Sequence, residues 1–233
     1  MWKGITMIPM ASDNPENLTD VMSEQQQRRE GGHSVILTSP SGRIKLLPPD
    51  PLYDEEVAQL RSHPESRRFI TFWPPICTVD FVMARRESRA RDPTVVDLYV
   101  FLCDDEGTKP CFIGITGLFN IDTMNETCSV GILIHPDYFR GGYATQTLYT
   151  VLKFAFEDDS KNMHRVSFET AESNVNMRGW LENVVGHKPE FRWREAWSVH
   201  AEPGKRQDVL GYAILRSEWA AAVKERLKAK LNR

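Results

Sequence analysis

Cysteine is scarce: Cys77, Cys103, Cys111 and Cys128 are the only four in 233 residues, and no two are spaced C-x-x-C. This excludes a thioredoxin-type dithiol, gives no metal-ligand set, and leaves no disulfide framework that a chain of this length needs. Four reduced, mostly buried thiols, no metal and a cytoplasmic location are expected, although Cys103 and Cys111 flank a turn and could be close. Long apolar runs are missing too. None approaches the roughly 20 residues of a membrane helix, and the short apolar start, carrying Lys3, makes no signal peptide. The Asn-x-Thr sequons at Asn17 and Asn125 are then chance. No basic excess exists: 29 Lys and Arg face 32 Asp and Glu, so nothing attracts nucleic acid through charge alone. Gly-x-Gly-x-x-Gly is absent, as is any Gly-Lys-Ser/Thr, which excludes the dinucleotide fingerprint and the nucleotide-type P-loop. There is no internal repeat.

What is present is an ordinary globular composition, 41% hydrophobic and 26% charged. It suits one domain with extensions: a polar arm over 1–33, a domain over 34–219 and a charged helix over 220–233. The most informative stretch is His135-Pro136-Asp137-Tyr138-Phe139-Arg140-Gly141-Gly142-Tyr143-Ala144-Thr145. The apolar run Val130–Ile134 precedes it, and a helical pattern over 144–158 follows. Strand, glycine turn and helix in this order leave unpaired N–H groups at the positive end of a helix dipole, an arrangement that attracts phosphate. Gly141 and Gly142 let a ligand approach the main chain.

Elsewhere, strands are expected at 34–37, 43–46, 95–103, 111–120, 127–134, 165–171, 191–199 and 209–215, the three over 95–134 forming an antiparallel meander. A turn is expected over 104–109. Helices are expected at 52–62, 78–91 (Thr78 as N-cap, its arginines a solvated face), 174–185 (stopped by Gly186) and 217–233. This order describes a mixed α+β sheet with helices on its faces.

Gly131-x-x-Ile134-x-Pro136, then Phe139 to Thr145, then Asn174 opening a helix that ends near Gly186, and Asp208 in the penultimate turn, together resemble the GCN5-related N-acetyltransferases (GNAT). Within that family they are similar to the ribosomal-protein N-terminal acetyltransferase branch. The resemblance runs from about Leu37 to Trp219. It implies a mixed, mostly antiparallel central sheet whose fourth and fifth strands splay apart. It also implies acetyl-coenzyme A, with its pyrophosphate on the N–H groups of Phe139, Arg140, Gly141, Gly142, Tyr143 and Ala144, beside Thr145. The pantetheine arm would run along 130–135, bonded to the main chain of Leu133 and His135, with Asn174 and Met177 near the cofactor tail. A backbone N–H around Ile134 or His135 would serve the oxyanion.

The implied reaction is direct attack of a primary amine, from a small molecule or a protein N-terminus, on the thioester. The alternative is a coenzyme-binding or partner-binding module that has lost turnover. Relatives often dimerise, so a homodimer is possible. The family's usual thiolate donors are replaced by Met177, Trp180 and Leu181. The base is a choice among Glu169, Glu195, Glu126 and His135, with Glu169 first because it flanks the splay. Along 191–199, aromatic residues alternate with polar ones, which reads as sheet core or as an acceptor slot of Phe72, Trp73, Trp193 and Trp197.

Overall fold

A computed structural model describes residues 32–103 and 110–231. Almost all of the expected arm, the 104–109 turn and the last two residues lie outside the described residues. Eight strands form one sheet in the order β1-β2-β3-β4-β5-β6-β8-β7. They are β1 Leu37–Thr38, β2 Ile44–Leu47, β3 Val96–Leu102, β4 Cys111–Asp122, β5 Thr127–Ile134, β6 Arg165–Ala171, β7 Phe191–Ser198 and β8 Arg206–Leu215. Neighbours are antiparallel except β5 and β6. The meander β3-β4-β5 is as expected; the first strand is shorter than expected and the last longer.

Both faces of the sheet are covered, and β3 shows how. Leu98 and Val100 join a core with Leu148, Val151, Leu152 and Ala155 of the helix Tyr143–Glu157. The alternate residues Tyr99 and Phe101 pack with Val57 and Ala58 of the helix Asp54–Ser62 and Val82 of the helix Val79–Ala90. Period-two alternation in a strand delivers successive side chains to opposite faces, so these helices lie on opposite sides. Thr78 caps the helix Val79–Ala90, its side chain accepting from the Phe81 N–H at 3.2 Å.

Two expected helices contain π turns. The one after β6 is α-helical over Val175–Gly179 and π over Trp180–Val185, ending at Gly186 with φ +87°. The closing helix, Arg216–Glu218 and Lys224–Leu231, is π over Trp219–Val223. All four cysteines are free; Cys77 and Cys128 are buried and Cys111 is exposed. No helix among the described residues is long and apolar enough to cross a membrane.

Candidate active site

β5 and β6 pair only at Thr127–Arg165, Cys128–Val166 and Ser129–Ser167. The two serine hydroxyls lie 3.0 Å apart at the last rung. Beyond them no β6 residue pairs with β5, so the expected splay is present. Which atoms of β5 face the gap follows from one bond. The His135 N–H donates to the Ile113 carbonyl of β4 at 2.8 Å. Residues two apart on a strand share an edge, so Leu133 also directs its main chain toward β4, while Ile132 and Ile134 direct theirs toward the gap. The expectation that Leu133 and His135 offer main-chain bonds there is corrected by one residue.

Past β5, Pro136–Tyr138 forms a 3₁₀ turn whose Phe139 N–H donates to the Pro136 carbonyl at 3.0 Å, which removes Phe139 from the free amides. Arg140 then takes φ +65° and Gly142 φ +76°. The helix Tyr143–Glu157 starts with no side-chain cap; its first bond is Gln146 N–H to the Gly142 carbonyl, 3.1 Å. Among the described residues nothing accepts from the N–H groups of Arg140, Gly141, Gly142, Tyr143, Ala144 and Thr145. A Cβ at Gly141 would overlap the Tyr143 ring. That ring is held by Arg43, which donates to its hydroxyl at 3.2 Å, and by Tyr138 at 6.1 Å. Such a run of amides is an anion cradle.

The gap opens into a cavity of about 270 Å³ lined by Ile132, Leu133, Glu169, Asn174 and Met177, and beyond them by Phe72, Trp73 and Trp197. Asn174 is already engaged: its side-chain oxygen accepts from the Met177 N–H at 3.2 Å, and its amide donates to Thr170 at 3.0 Å. The Trp180 indole N–H donates to Thr145 Oγ1 at 3.2 Å, tying the helix after β6 to the first turn of the helix after the cradle. Thr71 fixes the aromatic loop to the late hairpin: its hydroxyl donates to the Ser198 carbonyl at 3.0 Å, and its carbonyl accepts from the His200 N–H at 2.8 Å. Phe72 then meets Trp197 edge-on at 4.9 Å.

Of the four candidate bases, only Glu169 lines the cavity. No described residue hydrogen-bonds its carboxyl, and the cavity wall, by desolvating it, raises its pKa above the ordinary value. Glu126 sits at the far end of β5, φ +53°, bonded to Arg216 at 3.1 Å. Glu195 lies in a bulge between Trp193 and Trp197, exposed and with φ +53°, so two-residue spacing does not put it beside Trp197. The bulge is held by Asp208, which accepts from the Glu195 N–H at 2.6 Å; Asp208 belongs to β8 rather than to a turn. His135 caps the 3₁₀ turn, its Nδ1 accepting from the Asp137 N–H at 3.4 Å. Trp193, 48% exposed, stacks on Phe191 at 4.4 Å and does not line the cavity. Arg61, Arg85 and Arg86 do line it, so the arginines of the helix Val79–Ala90 are not simply the solvated face expected of them.

The family model "Acetyltransferase (GNAT) domain" matches residues 43–184, more than half of the chain. The chain belongs to the GNAT acetyltransferase family. It is thereby an N-acetyltransferase, and the family uses acetyl-CoA. Solved structures agree in fold. A GCN5-related N-acetyltransferase from Brucella melitensis aligns with TM-score 0.67 at 20% identity, over 85% of this chain and 86% of that one. RimJ from Mycobacterium smegmatis, in complex with CoA-disulfide, gives 0.66 at 20% identity, over 84% and 92%. Spermidine N-acetyltransferase from Vibrio cholerae, with CoA and spermine, gives 0.66 at 18%, over 76% and 98%. No curated protein matches by sequence.

Proposed function

We propose that this GNAT chain binds acetyl-CoA with its pyrophosphate on the amides of Arg140 to Thr145, and transfers the acetyl group to a primary amine held in the cavity between Glu169 and the Phe72–Trp197 wall. The observation that carries the reading is the cradle itself: six consecutive N–H groups with no acceptor among the described residues, at the start of a long helix, one of them on Gly141, whose missing side chain leaves room. The residues present fit the coenzyme. Ile132 and Ile134 supply the strand edge along which a pantetheine amide would bond, and an N–H of that edge would serve the oxyanion.

The coenzyme brings the activated acyl group; the chain's residues do the rest. The acceptor amine must lose a proton before it attacks; of the two carboxylates lining the cavity Asp97 is paired with Arg89, and Glu169, directly or through a water, is the one free to take it. Partial desolvation raises its pKa above the ordinary carboxylate value, which makes it a better base than an unperturbed glutamate. Met177 and the engaged Trp180 indole offer no acid for the departing thiolate, so positioning of the two substrates supplies much of the rate. Release of free coenzyme A from acetyl-CoA against a panel of amines tests the reading. Turnover that disappears in Glu169→Gln while coenzyme affinity stays is the expected result; coenzyme binding without turnover of any amine returns the chain to a binding module.

A further inference from the structure

Arg61, Arg85 and Arg86, from two helices, line the acceptor cavity with Arg89 near them, and only two of the four have carboxylate partners. Arg86 makes a two-point contact with Asp54, both bonds 2.9 Å, and Arg89 pairs with Asp97. Arg61 and Arg85 remain. Neither has a hydrogen bond or an ion pair with any described residue, and both line the cavity. Arg61 is 9% exposed and its Nε is buried without an acceptor. Its guanidinium carbon lies over the Trp73 ring, 4.2 Å from the centroid. Burial lowers the pKa of both, that of Arg61 to about 10; the neighbouring cation Arg85 lowers Arg61 further and Arg89 lowers Arg85, while the Asp97 carboxylate works in the opposite sense on each. Both stay charged near neutrality. Arg61 is buried and Arg85 half-buried, and desolvating a cation that no carboxylate bonds is costly.

We propose that Arg61 and Arg85 form a carboxylate-binding subsite, so that the amine acetylated in this cavity is an apolar amino carboxylate. The inference rests on the acetyl-transfer reading of the cavity. A guanidinium presents a planar fork that matches a carboxylate. Phe69, Ile70, Phe72, Trp73 and Trp197 supply apolar walls for the body of the acceptor. Asp97 lines the same cavity but is paired with Arg89, and Glu169 makes no ion pair with Arg61 or Arg85, which leaves those two guanidiniums for a carboxylate and Glu169 for the amine. A polyamine would set a second ammonium against two unpaired guanidiniums, so the likeness to the spermidine enzyme extends to fold and stops there.

The test compares acceptors that differ only in the carboxylate. L-phenylalanine and 2-phenylethylamine are assayed with acetyl-CoA by release of free thiol, with spermidine as a third substrate. Phenylalanine is expected to have the higher kcat/KM by roughly 10- to 100-fold, the scale of a hydrogen-bonded charge pair, and the ratio should fall toward one in Arg85→Gln and Arg61→Met. Because Arg61→Met could fold poorly, calorimetry on the wild-type chain gives an independent reading. 3-Phenylpropionate, which has the carboxylate and no amine, is expected to bind, to compete with phenylalanine, and to bind at least 10-fold more weakly to Arg85→Gln. Equal rates for the pair, preference for spermidine, or propionate binding indifferent to Arg85 overturns the subsite. Coenzyme A titrated alone separates the two ideas: failure to bind it sinks acetyl transfer, while propionate binding reports on the arginines by itself.

Discussion

Gly141 lies so close to the ring of Tyr143 that any side chain at 141 would overlap it. The ring cannot swing away freely, because Arg43 holds its hydroxyl and Tyr138 lies edge-on to it. Gly141→Ala is therefore expected to push the ring or the loop and misalign the free amides. A tenfold or greater loss of coenzyme A affinity, measured by calorimetry, is the expected outcome, with modest change in thermal stability because the loop is exposed. Gly142→Ala meets open space but must hold φ +76°, which costs about 1 kcal/mol for a residue with a Cβ. It should lower stability more and affinity less. Wild-type affinity in Gly141→Ala would remove the cradle from the binding site.

Glu169 should show in two pH profiles of opposite sense. As a base it must be ionised, so kcat/KM should fall as pH drops through a pKa above the usual carboxylate value, and Glu169→Gln should lose about 10²- to 10⁴-fold in kcat together with that acid limb. For stability the sign reverses. A carboxyl whose pKa is raised by folding favours the protonated native form, so its contribution is fullest at low pH and is lost as pH rises through the folded value. Glu169→Gln should accordingly melt higher than wild type at neutral pH, with the gain shrinking in acid. A variant that is slow yet gains no stability at pH 7 would argue against the desolvated carboxyl.

The loop and the helix over 135–157 were legible in the sequence because their signals are local: a run of apolar residues, paired glycines, then an apolar face of period 3.6. The splay was not readable from residues alone and came with the family resemblance. The bulge in β7 was hidden for a physical reason. Strict alternation of Phe191, Trp193, Glu195 and Trp197 assumes an uninterrupted ladder, and a left-handed glutamate carries no compositional mark as a glycine does. The pairing of Asp208 with Glu195 and Arg192 is a contact between strands, invisible to local pattern. Arg61 and Arg85 were missed similarly, since a helical arginine reads as solvent-facing until the other helix and the aromatic loop close over it.

Truncating Trp197 should separate the two substrates kinetically. Its contacts are with Phe72 and the acceptor cavity, and it is not among the residues of the phosphate cradle. Trp197→Ala is expected to raise the KM for the amine roughly tenfold, corresponding to loss of a ring contact of about 0.5–1.5 kcal/mol and some buried area, while the affinity for coenzyme A is kept. A KM unchanged for every amine that turns over would place the acceptor elsewhere.

Asp208 offers a test of the bulge from a distance. Its carboxylate accepts from the Glu195 N–H at 2.6 Å and pairs with Arg192 at 2.5 Å, and Arg192 in turn bonds Glu172 at 2.9 Å. Without that carboxylate the Glu195 amide loses its acceptor, and the left-handed turn that carries β7 from Trp193 to Trp197 loses its fixed point. Asp208→Ala should cost roughly 1–3 kcal/mol in urea unfolding, the range for removing a charged hydrogen-bond partner. Because Trp197 follows the bulge, the KM for the amine should rise in the same variant, and coenzyme A affinity should stay at the wild-type value. Loss of stability with an unchanged KM would show that the bulge serves the sheet edge alone, and that the loop bearing Phe72 and Thr71 holds Trp197 in place without it.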